Sequence, residues 1–149
     1  MYLVNIFTAP DIKKQLPAEA HQFDQVDKFF KLTMSKIVKV PYVIKFYKAN
    51  PPILDQLKNN NDILDSIQKK LEDYLENKRA SFPRFYFLSN DELLEILAHS
   101  QELDIVQLHL KTCFDNLVRL EIVQDIDIVA MYSNEGEKIQ FSKPQKARG

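Results

Sequence analysis

Apolar residues recur every three to four positions over several stretches of this chain, and the places where that period fails divide it into elements. From Leu16, Phe23, Val26, Phe30, Thr33 or Met34 and Ile37 fall on one helical face, with Pro17 suited to the first turn and Pro41 ending the run. The segment PYVIKFYKAN that follows fits a helix or a strand equally well, and Asn50-Pro51-Pro52 starts a new element. Ile53, Leu54, Leu57, Asn61, Leu64, Ile67, Leu71, Tyr74 and Lys78 then predict one helix from about Pro52 to Arg79, with a candidate bend near Asn59, Asn60 and Asn61. Phe82-Pro83 breaks it. Arg84-Phe85-Tyr86-Phe87-Leu88 is short, bounded and aromatic, which predicts a buried strand.

Ser89-Asn90-Asp91-Glu92 has the spacing of a capping box, so a helix is expected to begin there, to bury Leu93, Leu94, Ile96 and Leu97, and to end near Ser100. A further helix is expected from about Asp104 to Leu120, with Val106, Leu110, Cys113, Phe114 and Leu117 inward. Over residues 126 to 141 the period shortens to two. Ile126, Ile128, Ala130 and Tyr132 alternate with more polar neighbours, and Asn134-Glu135-Gly136 turns the chain, so a β-hairpin with Gly136 at positive φ is predicted. Lys143 to Gly149 reads as a polar, basic linker or truncation point. The fold class is mainly α: a helical bundle of about four to five helices, with a short aromatic strand and a C-terminal β-hairpin.

Composition narrows the function more than the fold. Net charge is −1, with 45% hydrophobic and 28% charged residues, so no global field favours nucleic acid or an anionic membrane. The longest apolar run is far short of the roughly 20 residues that a membrane span requires. The first ten residues lack the basic start of a signal peptide, and the single cysteine, Cys113, has no internal partner, which agrees with a reducing compartment. Only two glycines are present, Gly136 and Gly149. Phosphate-cradling loops and nucleophile elbows need several glycines in a fixed pattern, and no such pattern can be assembled here.

The remaining chemistry has a simpler explanation in each case. Arg84-Phe85-Tyr86-Phe87 lacks the small glycines that let bases reach the aromatics of an RNA-binding sheet. His109 with Cys113, and Glu95 with His99, are spaced i, i+4 on predicted helices, but two pairs do not make a metal site. A partly buried His109 and an inert, buried Cys113 thiol are expected. The carboxylate pairs Asp24 with Asp27, Glu72 with Glu76 and Glu121 with Asp125 lie on polar faces or in turns beside lysines, as solvated surface does. No catalytic, cofactor-binding or metal site is expected, and the chain reads as a helical binding or mechanical piece.

Four blocks carry a resemblance: LPAEAHQFDQVDKFFKLTM, ILDSIQKKLEDYLENKRASFPRFYFLSNDELLEIL, VQLHLKTCFDNLVRLEI and AMYSNEGEKIQF. In this order and spacing they resemble the linker region, N-terminal region 2, of a dynein heavy chain, and FLSNDELLEIL is more similar to axonemal than to cytoplasmic heavy chains. The chain departs from the family at Phe30, where Trp is usual, and at Leu108, where Pro is usual; a leucine at 108 is expected to let its helix run on. The resemblance implies a linker-like helical domain over 16–142, preceded by an extension over 1–15 and followed by a short segment over 143–149. It implies a lever that bends and straightens across a ring of AAA+ modules, with ATP and magnesium bound by that ring. The implied partners are the ring and the neighbouring linker segments, with microtubules reached indirectly and no nucleic acid or membrane involved. The implied location is the cytoskeleton of the cytoplasm, in the axoneme of a cilium or flagellum. Docking to the ring is assigned to the exposed faces of the 52–79 helix and the 126–141 hairpin. From the residues alone, a free-standing helical adaptor and, further off, a small metal-dependent enzyme remain open.

Overall fold

A computed structural model describes residues 4, 6, 7, 9–100, 102–124 and 127–147, without the side chain of Asp11. The chain is mainly α, and its contacts divide it into two units, residues 1–74 and 75–149.

The first unit contains α1 (Pro10–Gln15), α2 (Pro17–Lys39), α3 (Val43–Ala49) and the first part of α4 (Ile53–Ser81). Prolines begin both α1 and α2, where the missing amide would have had no partner. The chain between Pro41 and Asn50, open to either element from its sequence, is helical. Ile6, Phe7, Ile12, Ala20, Val26 and Ile53 are buried, and the rings of Phe7 and Phe23 stack at 5.3 Å. The face expected to be buried along α2 is only partly so: Val26 and Thr33 are covered, whereas Phe30 is 57% and Met34 43% exposed. α4 runs unbroken through Asn59, Asn60 and Asn61 and is about 43 Å long at the α-helical rise.

The second unit begins within α4, at Leu75. Residues Pro83–Phe87 form a short 3-10 helix, α5 is Asn90–Ala98, α6 is Leu103–Leu108 and α7 is Leu110–Cys113. Three antiparallel strands then pair in the order β1 (Leu117–Val123), β2 (Asp127–Ser133), β3 (Lys138–Lys146). Leu75, Leu88, Leu93, Leu94, Leu110, Cys113 and Ala130 are buried in this unit.

Three expectations are corrected here. The aromatic stretch is not a buried strand: Phe85 and Leu88 donate their amides to carbonyls three residues back, and Tyr86 and Phe87 are 56% and 68% exposed. Pro83, with its φ preset and no amide to satisfy, is suited to open this helical turn. The helix expected over 104–120 is two short helices that break at His109 despite Leu108; the chain leaves helix at Phe114, which is extended, and turns at Asn116, whose φ is +64°. Asparagine tolerates this left-handed conformation better than most side chains. Leu117 to Val123 is therefore a strand, and the expected hairpin is the second half of a three-stranded sheet whose last strand continues to Lys146. Its first residue by sequence, Ile126, lies outside the described residues. The turn itself is as expected, with Gly136 at φ +85°. There the Ser133 hydroxyl accepts hydrogen bonds from the amides of Glu135 and Glu137.

Candidate functional site

Three small groups of polar side chains stand out in the second unit. The first locks the corner where α4 ends. The Arg79 guanidinium donates to the carbonyl of Leu88 at 3.2 Å and to Asn90 Oδ1 at 2.7 Å, and the Tyr86 hydroxyl donates to Glu76 Oε1 at 2.5 Å. The Glu76 carboxylate thereby holds the Tyr86 phenol above its usual pKa. Arg84 points the other way, donating to the carbonyl of Cys113 at 3.1 Å while its guanidinium lies 4.6 Å from the centre of the Phe114 ring. Phe82 meets Phe85 edge-on at 4.8 Å. The corner is thus tied to α4 behind it, to α5 ahead of it, and to the end of α7.

The capping box is complete. Glu92 donates its amide to the Ser89 hydroxyl at 3.3 Å, and the Ser89 amide donates to Glu92 Oε2 at 2.8 Å. The Ser89 hydroxyl also donates to that Oε2 at 2.8 Å, and these two hydrogen bonds, the amide's first, hold the Glu92 carboxyl below its usual range. Asp91 and Glu92 also place negative charge where the helix dipole favours it.

The second group is the set of predicted metal-like pairs, which the fold separates. His109 Nε2 lies 3.2 Å from Glu95 Oε2, and His99 Nδ1 lies 2.9 Å from Glu102 Oε1. The pairs are therefore not the ones that helical spacing suggested. Cys113 is buried, and burial pushes its thiol pKa up, as expected of an inert core thiol. Among the described residues, no cluster of three or more His, Cys, Asp or Glu side chains could hold a metal ion.

The third group crosses the sheet. Arg119, Tyr132 and Lys138 are register partners on β1, β2 and β3. The Arg119 guanidinium lies 4.4 Å from the Tyr132 ring centre, the Tyr132 hydroxyl donates to Glu121 Oε2 at 2.9 Å, and Lys138 Nζ lies 2.6 Å from the same oxygen. Lys138 first, and Tyr132 second, hold the Glu121 carboxyl below its usual range. Beside them is an open groove of about 560 Å³ that also includes Leu103, Asp104 and Gln107. Gln107 Oε1 accepts the Leu120 amide at 3.1 Å, which occupies a donor on the outer edge of β1.

The carboxylate pairs do not converge. Asp24 and Asp27 face Lys28 and Lys31 one turn on, Glu72 accepts from Gln68, and Glu76 is taken by Tyr86. Asp125, expected beside Glu121, lies outside the described residues. Sequence reasoning missed the Arg79 corner and the Arg119–Tyr132–Lys138 row, because both depend on partners brought together by folding. What the three groups can do chemically is hold elements at fixed angles.

A family model described as dynein heavy chain, N-terminal region 2, matches residues 1–149. The chain belongs to this family. It is 48% identical to the human dynein axonemal heavy chain 6 over its whole length, and 46% identical to the rat dynein axonemal heavy chain 12 over 95% of it. The human dynein axonemal heavy chain 1 is 44% identical, again over 95% of the chain. The chain spans only 3–4% of the length of these relatives. The resemblance read from the four sequence blocks is thereby borne out, including its leaning toward axonemal dyneins. Among the described residues, no helix is long and apolar enough to cross a membrane.

Proposed function

We propose that this chain forms part of the linker of an axonemal dynein heavy chain, a lever that carries ATP-driven changes of an AAA+ ring into movement along microtubules. In this reading ATP and magnesium are bound by the ring, catalysis belongs there, and the chain itself performs no chemistry. Its partners are the ring and neighbouring linker segments of the same heavy chain, microtubules are engaged indirectly, and the setting is the axoneme of a cilium or flagellum.

The observation that carries the reading is the joint at the end of α4. A 29-residue helix ends at a corner held by the Arg79, Tyr86 and Ser89 hydrogen bonds. A lever requires elements that keep their angle under load. Directional hydrogen bonds on close-packed helices supply that stiffness. The exposed charges of α4, such as Lys69, Lys70 and Asp73, and those of the β2–β3 hairpin are the surfaces assigned to ring docking.

The test uses a full-length axonemal heavy chain carrying Arg79→Ala together with Tyr86→Phe. Microtubule gliding is expected to slow severalfold while ATP hydrolysis is retained, the signature of a softened lever. Unchanged gliding, or velocity and hydrolysis falling in the same proportion, overturns the reading. Charge reversal on both assigned faces is expected to weaken ring docking, and unchanged docking removes that assignment.

A further inference from the structure

From Lys28 to Leu54 the chain has six lysines and no aspartate or glutamate, although the whole chain has a net charge of −1. Lys28 and Lys31 reach back to Asp24 and Asp27. Lys36, Lys39, Lys45 and Lys48 are exposed, and none makes an ion pair with a carboxylate among the described residues. Lys45 instead lies 4.9 Å from the ring centre of Tyr42. The same corner exposes large apolar side chains: Val38 is 76%, Val43 82% and Ile44 71% accessible. Large apolar side chains left this exposed close together in sequence are the kind of surface that interaction sites use. Between the end of α2 and α3 there is an open groove of about 210 Å³, lined by Val40, Phe46 and Ala49 together with Lys36, Lys39 and Asn50.

We propose that the α2–α3 corner is a docking site for an acidic amphipathic helix of a protein partner. Leucine-like side chains at i, i+3, i+4 and i+7 enter the groove, and flanking carboxylates meet Lys36, Lys39, Lys45 and Lys48. Charge complementarity selects the partner's sign, since a basic segment that lacks any carboxylate attracts an acidic surface and repels a basic one. Shape selects a helix. A concave slot between two helix ends accepts a ridge of side chains, as helices do when ridges enter grooves, whereas a flat bilayer surface leaves the slot unfilled. The inference does not depend on the lever reading, because an adaptor would present the same corner.

The test measures fluorescence anisotropy of a labelled peptide of about 18 residues, five helical turns, with leucine at the ridge positions and glutamate elsewhere. Saturable, salt-sensitive binding to the 149-residue chain is expected. It should weaken at least about tenfold in Lys39→Glu/Lys48→Glu, and similarly in Val38→Ser/Ile44→Ser, as loss of charge complementarity and of an apolar anchor each predict. These side chains are exposed, so circular dichroism should report an unchanged fold. Absence of binding, or equal binding of a peptide of the same composition with its leucines scrambled, overturns the proposal. It is also overturned if phosphatidylserine vesicles bind and the peptide does not. A dimer of the chain, seen by sedimentation and broken by the same substitutions, overturns it too, because a second copy then covers the corner. None of these results alters the gliding experiment, so the two readings fail separately.

Discussion

Arg79, in the last turns of α4, and Asn90, the first residue of α5, are joined by a hydrogen bond of 2.7 Å. The same guanidinium nitrogen also reaches the Leu88 carbonyl, so one side chain spans the whole 3-10 turn between the helices. Arg79→Ala is expected to destabilise the chain by about 1.5–3 kcal/mol, the range for hydrogen bonds that involve a charged group. Arg79→Lys should recover little of this, because both acceptors are served by the two in-plane N–H bonds of one rigid guanidinium nitrogen, directions that a rotating ammonium on a differently shaped stem does not fix. Urea unfolding of the three proteins decides it, and full recovery by lysine removes the geometric role.

Ser89→Ala removes the cap of α5 and is expected to cost about 1 kcal/mol. The associated pH dependence follows from Glu92, whose carboxyl is held below its usual range by the Ser89 amide and hydroxyl. A depressed carboxyl contributes stability that is present above its unfolded pKa, ordinarily about 4.3, and is lost as pH falls through the lower folded value. Wild-type chain should therefore lose stability on acidification more steeply than Ser89→Ala between about pH 5 and pH 3. Parallel acid profiles for the two proteins contradict the assignment.

The cap could be read from residues 89 to 92 because all its partners lie within four positions. The same holds for the prolines that open α1 and α2, for the long period of α4, and for Gly136, whose left-handed φ no branched side chain accepts cheaply. β1 could not be read this way. Leu110, Phe114 and Leu117 keep a helical spacing, and only pairing with β2, together with the Asn116 turn, makes Leu117 to Val123 extended. The aromatic turn was misleading because strand preference in Phe and Tyr expresses a pleated, half-buried setting, which the corner after Pro83 does not provide. The metal-like pairs illustrate a different limit. Helical spacing put His99 beside Glu95, but the bend after α5 gave that carboxylate to His109 and gave His99 to Glu102. By contrast, the acid-free run from Lys28 to Leu54 stands in the letters of the sequence, hidden only when charge is averaged over the whole chain.

Cys113 is the lone thiol and is buried. Burial raises its pKa, so near neutral pH it carries less thiolate than a free cysteine, whose pKa is about 8.5. Labelling by a disulfide reagent should be slow in the native chain and complete once guanidinium chloride unfolds it. The thiol also adds an alkaline limit. A raised thiol pKa contributes stability that is fully present below the unfolded value and declines as pH rises above about 8.5. Cys113→Ser should flatten that decline, and rapid native labelling contradicts the burial argument.

Glu121 and Lys138 meet at 2.6 Å across the sheet, joined by the Tyr132 hydroxyl on the same carboxylate oxygen. The Lys138 hydrogen bond is the main cause of the lowered Glu121 pKa, and the Glu121 hydrogen bond is the main cause of the raised Lys138 pKa. The two signs bracket a window. Glu121 contributes stability above its unfolded pKa and loses it as pH falls through the folded value, while Lys138 contributes below its unfolded pKa and loses it as pH rises. Their joint contribution is therefore complete between about pH 5 and pH 10 and fades outside that range on both sides. Lys138→Met should move the Glu121 titration upward toward the ordinary carboxyl range, followed by the carboxyl carbon resonance, and Tyr132→Phe should move it less. Because the pair is exposed, added salt should shrink the first shift. A Glu121 titration unmoved by Lys138→Met would show that Lys138 does not hold this carboxylate in solution.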